Sequence, residues 1–236
     1  MTMWFGRILG VVLGLLVFMP ASPLSARPAQ AKDGQGAERS HRVPTLLRDI
    51  EHRTFNYFWQ ETRADNGLAP DRVPWDEPFA SVAAVGFALT AYPLGVERGW
   101  ISREQARQRT LATLRFLHDA PQGDAAQGMA GHHGFFYHFL HLDTGTRYAP
   151  WVELSSVDTA LLLGGVLFAQ TWFDQEHPEE QAIRELAEAI YQRVDWAFLQ
   201  VRPPLLSMGW HPESGFISHD WVGYNEGMLV YVLALG

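Results

Sequence analysis

Carboxylates and aromatic side chains occur together in three polar stretches, each of which leads into an apolar segment. The stretches are residues 67–76, 134–158 and 209–226. Sugar rings have apolar C–H faces that stack on aromatic rings, and they have hydroxyl groups that bond to acidic or amide oxygens. The mixture of residue types in these stretches therefore favours a carbohydrate-binding groove.

Glu153 and Glu226 are the leading candidates for acid–base chemistry, because each stands at the start of a different apolar segment. Hydrolysis of a glycosidic bond generally needs one carboxylic acid to protonate the leaving oxygen and one carboxylate to activate water or to attack. Asp158 is the third candidate, since a carboxylate within an apolar helix is costly unless it is paired or functional. The alternatives are charge complementarity at a helix N-terminus for the two glutamates and a structural pair for Asp158.

Seven other residues in the same stretches are candidate substrate-binding residues. They are Asp71, Arg72, Asp143, Trp210, His211, Trp221 and Tyr224. Asp71 and Arg72 can also form a simple ion pair within their loop, and Asp143 opens a DTGT sequence that is typical of a hairpin turn. Core packing is the alternative for Trp210 and Trp221.

The composition excludes several classes of function. The chain has 18 Lys+Arg against 26 Asp+Glu, a net charge of −8, and it lacks the basic clusters that nucleic acid binding requires. It has no cysteine, which excludes a thiol nucleophile and any cysteine-ligated metal. The histidines have no zinc-binding spacing, and no phosphate-binding motif occurs, so we predict no metal and no cofactor.

Three amphipathic helices are predicted to alternate with three apolar ones. The amphipathic helices are predicted at Thr45–Glu61, Arg103–His118 and Pro178–Leu199, and the apolar helices at Phe79–Tyr92, Leu154–Phe173 and Glu226–Leu235. This alternation predicts an all-α fold, a stack of α-hairpins with the apolar helices inside, which commonly closes into an α/α toroid. Three hairpins are half of a six-hairpin ring, so we expect C-terminal truncation and self-association through the unclosed hairpins.

The N-terminus has the pattern of a secretory signal peptide. Arg7 precedes an apolar run over residues 8–19, and a segment rich in Ala, Ser and Pro follows. The apolar run is too short to span a bilayer as a helix, so we predict no permanent membrane anchor. The sequence therefore predicts a signal peptide at 1–31, a linker at 32–43, a domain at 44–236, and export to the periplasm or the extracellular space.

Six blocks, in order along the chain, resemble the glucoamylase-like domain of bacterial glycoside hydrolases, a group that includes endo-β-1,2-glucanases. The blocks are TFNYFW with GLAPDR (54–59, 67–72), SVAAVGFALTAYPLGVERGWISREQA (81–106), GFFYHFLHLDTGTR (134–147), ELSSVDTALLLGGVLFAQ (153–170), IYQRVDW (190–196) and MGWHPESGF with WVGYNEGM (208–216, 221–228). The resemblance implies a six-hairpin α/α toroid, of which this chain holds about the first half, and hydrolysis of a β-glucan.

Two hypotheses from different classes follow. The first is an exported glycoside hydrolase that cleaves a β-glucan, with β-1,2-glucan as the substrate that the resemblance implies, by means of its carboxylates. The second is a non-catalytic half-domain that binds or scaffolds a glucan oligosaccharide or polysaccharide. A terpene-cyclase-like enzyme is a poorer fit, because no Asp-rich cluster lies on an apolar helix.

Overall fold

A computed structural model describes residues 45–74, 76 and 79–236 of the chain. These residues contain six α-helices and one 3₁₀ helix at Trp196–Leu199. The α-helices are α1 (Thr45–Glu61), α2 (Val82–Glu97), α3 (Arg103–Asp119), α4 (Ser156–Trp172), α5 (Pro178–Gln192) and α6 (Met228–Ala234). The predicted signal peptide (1–31) and linker (32–43) lie outside the described residues. None of the described helices combines the length and the apolar composition that crossing a membrane requires.

Residues 54–236 form one compact unit by backbone contacts, and the described residues before it are the first half of α1. In that first half Leu46, Leu47 and Ile50 are exposed, and Asp49 pairs with Arg53 one turn later at 2.9 Å. In the second half the side chain of Phe55 is buried against the ring of Trp100. The compact unit therefore includes only the C-terminal half of α1.

The helices pack in two rows. The two apolar helices α2 and α4 pack against each other, and α6 continues this inner row beside α4. The amphipathic helices α3 and α5 pack against each other on the other side of α2 and α4. Two α-hairpins, α2–α3 and α4–α5, are therefore stacked side by side as the sequence pattern predicts. The burial of α2 is incomplete, since Phe87 and Leu94 are exposed.

Gly86 of α2 and Gly165 of α4 set the close approach of the two inner helices. A Cβ atom added at Gly165 would lie 2.1 Å from the carbonyl oxygen of Gly86, and one added at Gly86 would lie 2.4 Å from the carbonyl oxygen of Leu161. Both clashes are with helix backbone, which cannot rotate away. Only glycine therefore fits at this crossing.

Gly165→Ala is expected to lower the free energy of unfolding by about 2 kcal/mol, because an inserted methyl group forces two packed helices apart. Gly164→Ala is the matched control, since a Cβ there meets only Leu229 Cδ2 at 3.9 Å. The control should be neutral or stabilising, because alanine favours a helix by about 1 kcal/mol over glycine. Urea denaturation of both variants measures the difference, and equal midpoints would contradict the packing argument.

The described residues also contain seven short strands in two sheets, so the expectation of an all-α fold is not confirmed. The strands are β1 (Phe79–Ser81), β2 (Gly131–His132), β3 (Phe135–Tyr137), β4 (Phe139–His141), β5 (Leu154–Ser155), β6 (Gly209–His211) and β7 (Gly215–Phe216). One sheet is the antiparallel pair β1–β4, and the other has the antiparallel order β2-β3-β5-β6-β7. These strands connect the polar stretches that precede α2, α4 and α6.

Two serines move the starts of the inner helices away from the predicted positions. Ser81 and Ser155 have extended backbone, and their hydroxyls accept the N–H groups of Ala84 and Asp158 as N-caps. The predicted helices begin at Phe79 and Leu154. In the structure these residues belong instead to strands β1 and β5, each of which ends at its capping serine.

The other helix ends agree with the sequence to different degrees. Helix α1 has the predicted bounds, and α3 begins after the predicted cap Ser102, where Gln105 completes a capping box. Helix α5 ends at Gln192 rather than at Leu199, and Asp195 then donates its backbone N–H to the carbonyl of His133. Helix α6 begins at Met228, two residues after the predicted start.

Candidate functional site

The chain changes from one sheet to the other at His138. Strand β3 ends at Tyr137, which pairs with Leu154 of β5, and β4 begins at Phe139, which pairs with Ser81 of β1. The backbone of His138 is held on both sides of this crossover. Its N–H donates to the carbonyl of Glu153 at 3.0 Å, and its carbonyl accepts the N–H of Val82 at 3.1 Å. This crossover therefore fixes His138 between the start of α2 and the segment that precedes α4.

The imidazole of His138 lies between two of the predicted catalytic carboxylates. Its Nδ1 is 2.9 Å from Glu153 Oε1, and its Nε2 is 3.4 Å from Asp158 Oδ1. Asp158 is buried in the first turn of α4, where the hydroxyl of Ser155 donates to its Oδ2 at 2.5 Å. Sequence analysis placed Asp158 five residues into its helix, but Ser155 starts the helix later and thereby makes Asp158 its third residue.

Burial and charge shift the pKa values of all three groups. Burial favours a higher pKa for Glu153, but the bond from His138, a backbone bond and the charges of His138 and His211 outweigh it and lower the pKa. Burial raises the pKa of Asp158. The charge of His138 and the bond from Ser155 act to lower it, whereas the charges of Glu153 and Glu226 add to the increase, and the net pKa is raised.

The pKa of His138 is raised. Burial alone would lower it, but the bond to Glu153 and the charges of Asp158, Glu153 and Asp71 outweigh burial. The site thus combines a carboxyl group with a lowered pKa, one with a raised pKa, and a histidine that favours its cationic form. Such a combination is typical of acid–base sites.

The electrostatic interactions bring five predicted site residues into one neighbourhood. Asp71 acts on His138, His211 acts on Glu153, and Glu226 acts on Asp158. The loop of Asp71 is anchored where the hydroxyl of Tyr57 donates to the carbonyl of Pro70 and the N–H of Asp71 donates to Phe79. Residues of all three polar stretches therefore influence the charges of this cluster.

An aromatic cluster adjoins this site. The ring of Phe139 stacks on the imidazole of His138, with centroids 3.8 Å apart and planes at 22°. The rings of Phe79, Tyr148 and Trp151 pack around Phe139, and the indole of Trp151 is the outermost, with 60% of its surface exposed. Sequence analysis did not select Trp151 because nothing in its local sequence separates an exposed indole from a packed one.

Arg147 holds the segment that carries Trp151 and Glu153. Its side chain is 2% exposed, and its guanidinium donates to the carbonyls of Pro150 and Val152. The same guanidinium pairs with Glu213 at 2.7 Å and lies 3.2 Å from His211 Nδ1. Arg147 thus joins this segment to the β6–β7 hairpin, a role that sequence analysis missed because Glu213 is far away along the chain.

The remaining predicted binding residues have different surroundings. Arg72 pairs with Asp71 at 2.7 Å, so the predicted ion pair is present. Trp221 is buried, and its indole N–H donates to the hydroxyl of Ser156 at 2.8 Å. This position favours the core-packing alternative for Trp221, because the indole reaches its polar partner inside the fold. Tyr224 is 95% exposed.

Trp210 and Asp143 also make contacts outside the carboxylate cluster. The indole of Trp210 stacks on the imidazole of His132, with centroids 4.9 Å apart. Asp143 lies in the predicted turn, which Gly145 allows with a φ of +67°, and its carboxylate pairs with Arg63 at 2.6 Å. The turn is therefore confirmed, and Asp143 forms an ion pair with Arg63, which lies in the loop after α1.

His138, Glu153 and Asp158 are also residue types that bind divalent cations, and their candidate ligand atoms lie within 4.8 Å of one another. A metal-bound imidazole directs one nitrogen lone pair at the ion. Here each nitrogen of His138 is directed at a different carboxylate oxygen. The first contact is a hydrogen bond and the second is an ionic contact at 3.4 Å, and we assign no metal ligand among these groups.

Comparisons with known proteins show similarity in sequence and in fold. No family model matches the sequence. The exo-β-1,2-glucooligosaccharide sophorohydrolase (non-reducing end) of Parabacteroides distasonis is 30% identical over 197 residues, which are 80% of this chain and 26% of that protein. The solved β-1,2-glucanase of Parabacteroides distasonis has 31% identity and a TM-score of 0.72, over 80% of this chain and 27% of that one.

A third similar protein is the endo-β-1,2-glucanase of Chitinophaga pinensis, solved with sophorotriose and glucose. Its identity is 25% and its TM-score is 0.69, over 80% of this chain and 46% of that one. The chain therefore spans less than half the length of each of these three proteins. The matches in sequence and in fold confirm that this chain is similar to the glucoamylase-like glycoside hydrolases, as its six sequence blocks indicate.

Proposed function

We propose that this chain acts in the hydrolysis of β-1,2-glucan, with Glu153 at the centre of its active site. The observation that carries the proposal is the pair of carboxylates on either side of His138, one with a lowered and one with a raised pKa. The similarity to proteins named as β-1,2-glucan hydrolases supports the choice of substrate. The two stacked α-hairpins support the proposal that this chain forms part of an α/α toroid.

Glu153 is suited to the role of the base. Its lowered pKa means that it is ionised at neutral pH, as a group must be that takes a proton from water. Glu226 is the candidate acid, because it is exposed on the loop before α6 and acts electrostatically on Asp158. Asp158 is buried, and in this proposal it acts through His138 rather than on the substrate.

Export of the protein belongs to the same proposal. The arginine and apolar run at residues 7–19 support a cleaved signal peptide, which would deliver the enzyme to the periplasm or the extracellular space, where it meets an external glucan. N-terminal sequencing of the secreted chain tests this point. A mature N-terminus at about residue 32 is expected, and an intact Met1 in the secreted protein would contradict it.

An assay of reducing ends released from linear β-1,2-glucan tests the proposed activity, with β-1,3-glucan, β-1,4-glucan and starch as parallel substrates. Release from β-1,2-glucan alone is the expected result. A second candidate function is glucan binding without turnover, which the exposed indole of Trp151 favours. Calorimetric titration with β-1,2-glucooligosaccharides separates the two, and neither binding nor turnover would contradict both.

Trp151→Ala is expected to weaken the binding of β-1,2-glucooligosaccharides about tenfold, because an exposed indole offers a flat face for a sugar ring. Trp151 stands two residues before Glu153, and its ring is backed by Phe139 and Tyr148. Trp151→Phe should retain most of the affinity, since it keeps an aromatic face. Calorimetric titration measures both variants, and an unchanged dissociation constant in Trp151→Ala would remove this residue from the binding surface.

A further inference from the structure

The imidazole of His138 is fixed in position from several directions. Its backbone is bonded to Glu153 and to Val82, and its ring lies flat against Phe139. Its Nδ1 contacts the carboxylate of Glu153, and its Nε2 contacts that of Asp158. A flip of the ring by 180° would place carbon atoms where the two nitrogens now meet Glu153 and Asp158, so these contacts favour the observed orientation.

The contacts at the two nitrogens restrict where the protons can be. A neutral imidazole has one N–H donor and one acceptor nitrogen, whereas an ionised carboxylate only accepts hydrogen bonds. Nδ1 is hydrogen-bonded to Glu153 Oε1, whereas Nε2 is in ionic contact with Asp158 Oδ1 at 3.4 Å and makes no hydrogen bond to it. The proton of the Nδ1 bond lies either on the imidazole or on Glu153, and the lowered pKa of Glu153 favours the imidazole. Nδ1 therefore donates, and Glu153 is ionised.

The charged groups around His138 come from five parts of the fold. Glu153 precedes β5, Asp158 lies in α4, and Asp71 lies in the loop before β1. Glu226, before α6, acts on Asp158, and His211 of β6 acts on Glu153. The net charge around His138 is therefore negative, which favours the cationic form of its ring.

We propose that His138 is a positioning residue: as an imidazolium hydrogen-bonded to Glu153, it orients that carboxylate and keeps it ionised, and its charge faces Asp158. Its effect on turnover rests on the proposed function. The charge of His138 is a property of the folded chain and needs no turnover. The two parts can therefore be tested separately.

The proton arrangement is tested by NMR titration of the imidazole resonances in the full chain, with His138 assigned by their loss in His138→Gln. We expect His138 to titrate above an ordinary histidine, and Glu153→Gln and Asp158→Asn each to lower its midpoint. A midpoint at or below that of an ordinary histidine would overturn the proposal, as would a midpoint that neither carboxylate substitution moves. This result stands whether or not the chain hydrolyses glucan.

The effect on catalysis is tested by the pH dependence of kcat on β-1,2-glucan. In His138→Gln, burial of Glu153 is no longer opposed by the imidazolium, so its pKa should rise and the acidic limb of the profile should move to higher pH. We expect kcat at neutral pH to fall by about tenfold to a hundredfold, since the carboxylate loses its fixed direction.

His118→Gln is the matched control, because His118 also pairs with a carboxylate, Asp119 at 2.8 Å, but on the exposed end of α3. It should leave the profile unchanged. A purely structural role for His138 would lower stability and kcat without moving the acidic limb, and that result would overturn the positioning role.

Discussion

Glu153→Gln is expected to lower kcat on β-1,2-glucan by about a thousandfold, within the usual contribution of a positioned acid or base. Glutamine has nearly the same shape as glutamate, so it can still meet His138 Nδ1 and leave the backbone of β5 in place. It cannot accept a proton from water. The binding of β-1,2-glucooligosaccharides should therefore change by less than about threefold, since binding and proton transfer depend on different features of this side chain.

The measurement is a reducing-end assay beside a calorimetric titration of the same preparation. Glu185→Gln is a suitable control, because Glu185 is exposed on α5 and its observed hydrogen bond comes from Gln181 at 2.8 Å. Glu226→Gln tests the candidate acid in the same assay. Full turnover in Glu153→Gln would remove Glu153 from the mechanism, and full turnover in both variants would remove the proposed pair.

The helices could be predicted from the sequence because their signals are local. The 3.6-residue spacing of apolar side chains defines α1 and α3, and Ser102 marks the start of α3. The strands could not be predicted, since each has only two or three residues and is stabilised by partners far away in sequence, such as Leu154 with Trp210. The capping function of Ser81 and Ser155 was hidden inside apolar runs for the same reason.

Some residues of the candidate site could likewise be predicted from the sequence, and others could not. Carboxylates before apolar helices are visible in the sequence, so Glu153, Asp158 and Glu226 were all selected. His138 was passed over as one of several histidines, because its role depends on a sheet crossover that brings it to residues 15 and 20 positions later. Trp221 was selected for its loop position, but its indole turns inward to Ser156, 65 residues away.

The outer helices α3 and α5 are joined by an ion pair between Arg103 and the buried carboxylate of Glu180. Glu180, in the first turn of α5, is fully buried, and its two oxygens accept from Arg103 Nε and Nη2 at 2.8 Å each. Its Oε2 also accepts the backbone N–H of Gln175. Arg103 opens α3 and lies over the ring of Trp172 at the end of α4. This pair therefore connects three helices of the two stacked hairpins.

Glu180→Ala is expected to lower the free energy of unfolding by about 3 kcal/mol, which is the lower end of the usual cost of breaking a buried ion pair. The lower end applies because Arg103 remains partly exposed to solvent and still pairs with the carboxylate of Asp174. Glu179→Ala is the matched control on the next residue. Glu179 is half-exposed and pairs with Arg107, so its loss should cost less than about 1 kcal/mol. Urea denaturation at neutral pH compares the two.

The pH dependence of stability gives a second, independent measure of the same pair. The bond from Arg103 lowers the pKa of Glu180 below its ordinary value of 4.5, in spite of burial. A carboxyl group with a lowered pKa stabilises the fold fully above its unfolded value, and this contribution is lost as the pH falls through the folded value. Glu180→Ala should therefore lose less stability than the wild type on acidification below pH 4.5. An equal acid loss in both proteins would show that other carboxylates, rather than Glu180, connect the two hairpins electrostatically.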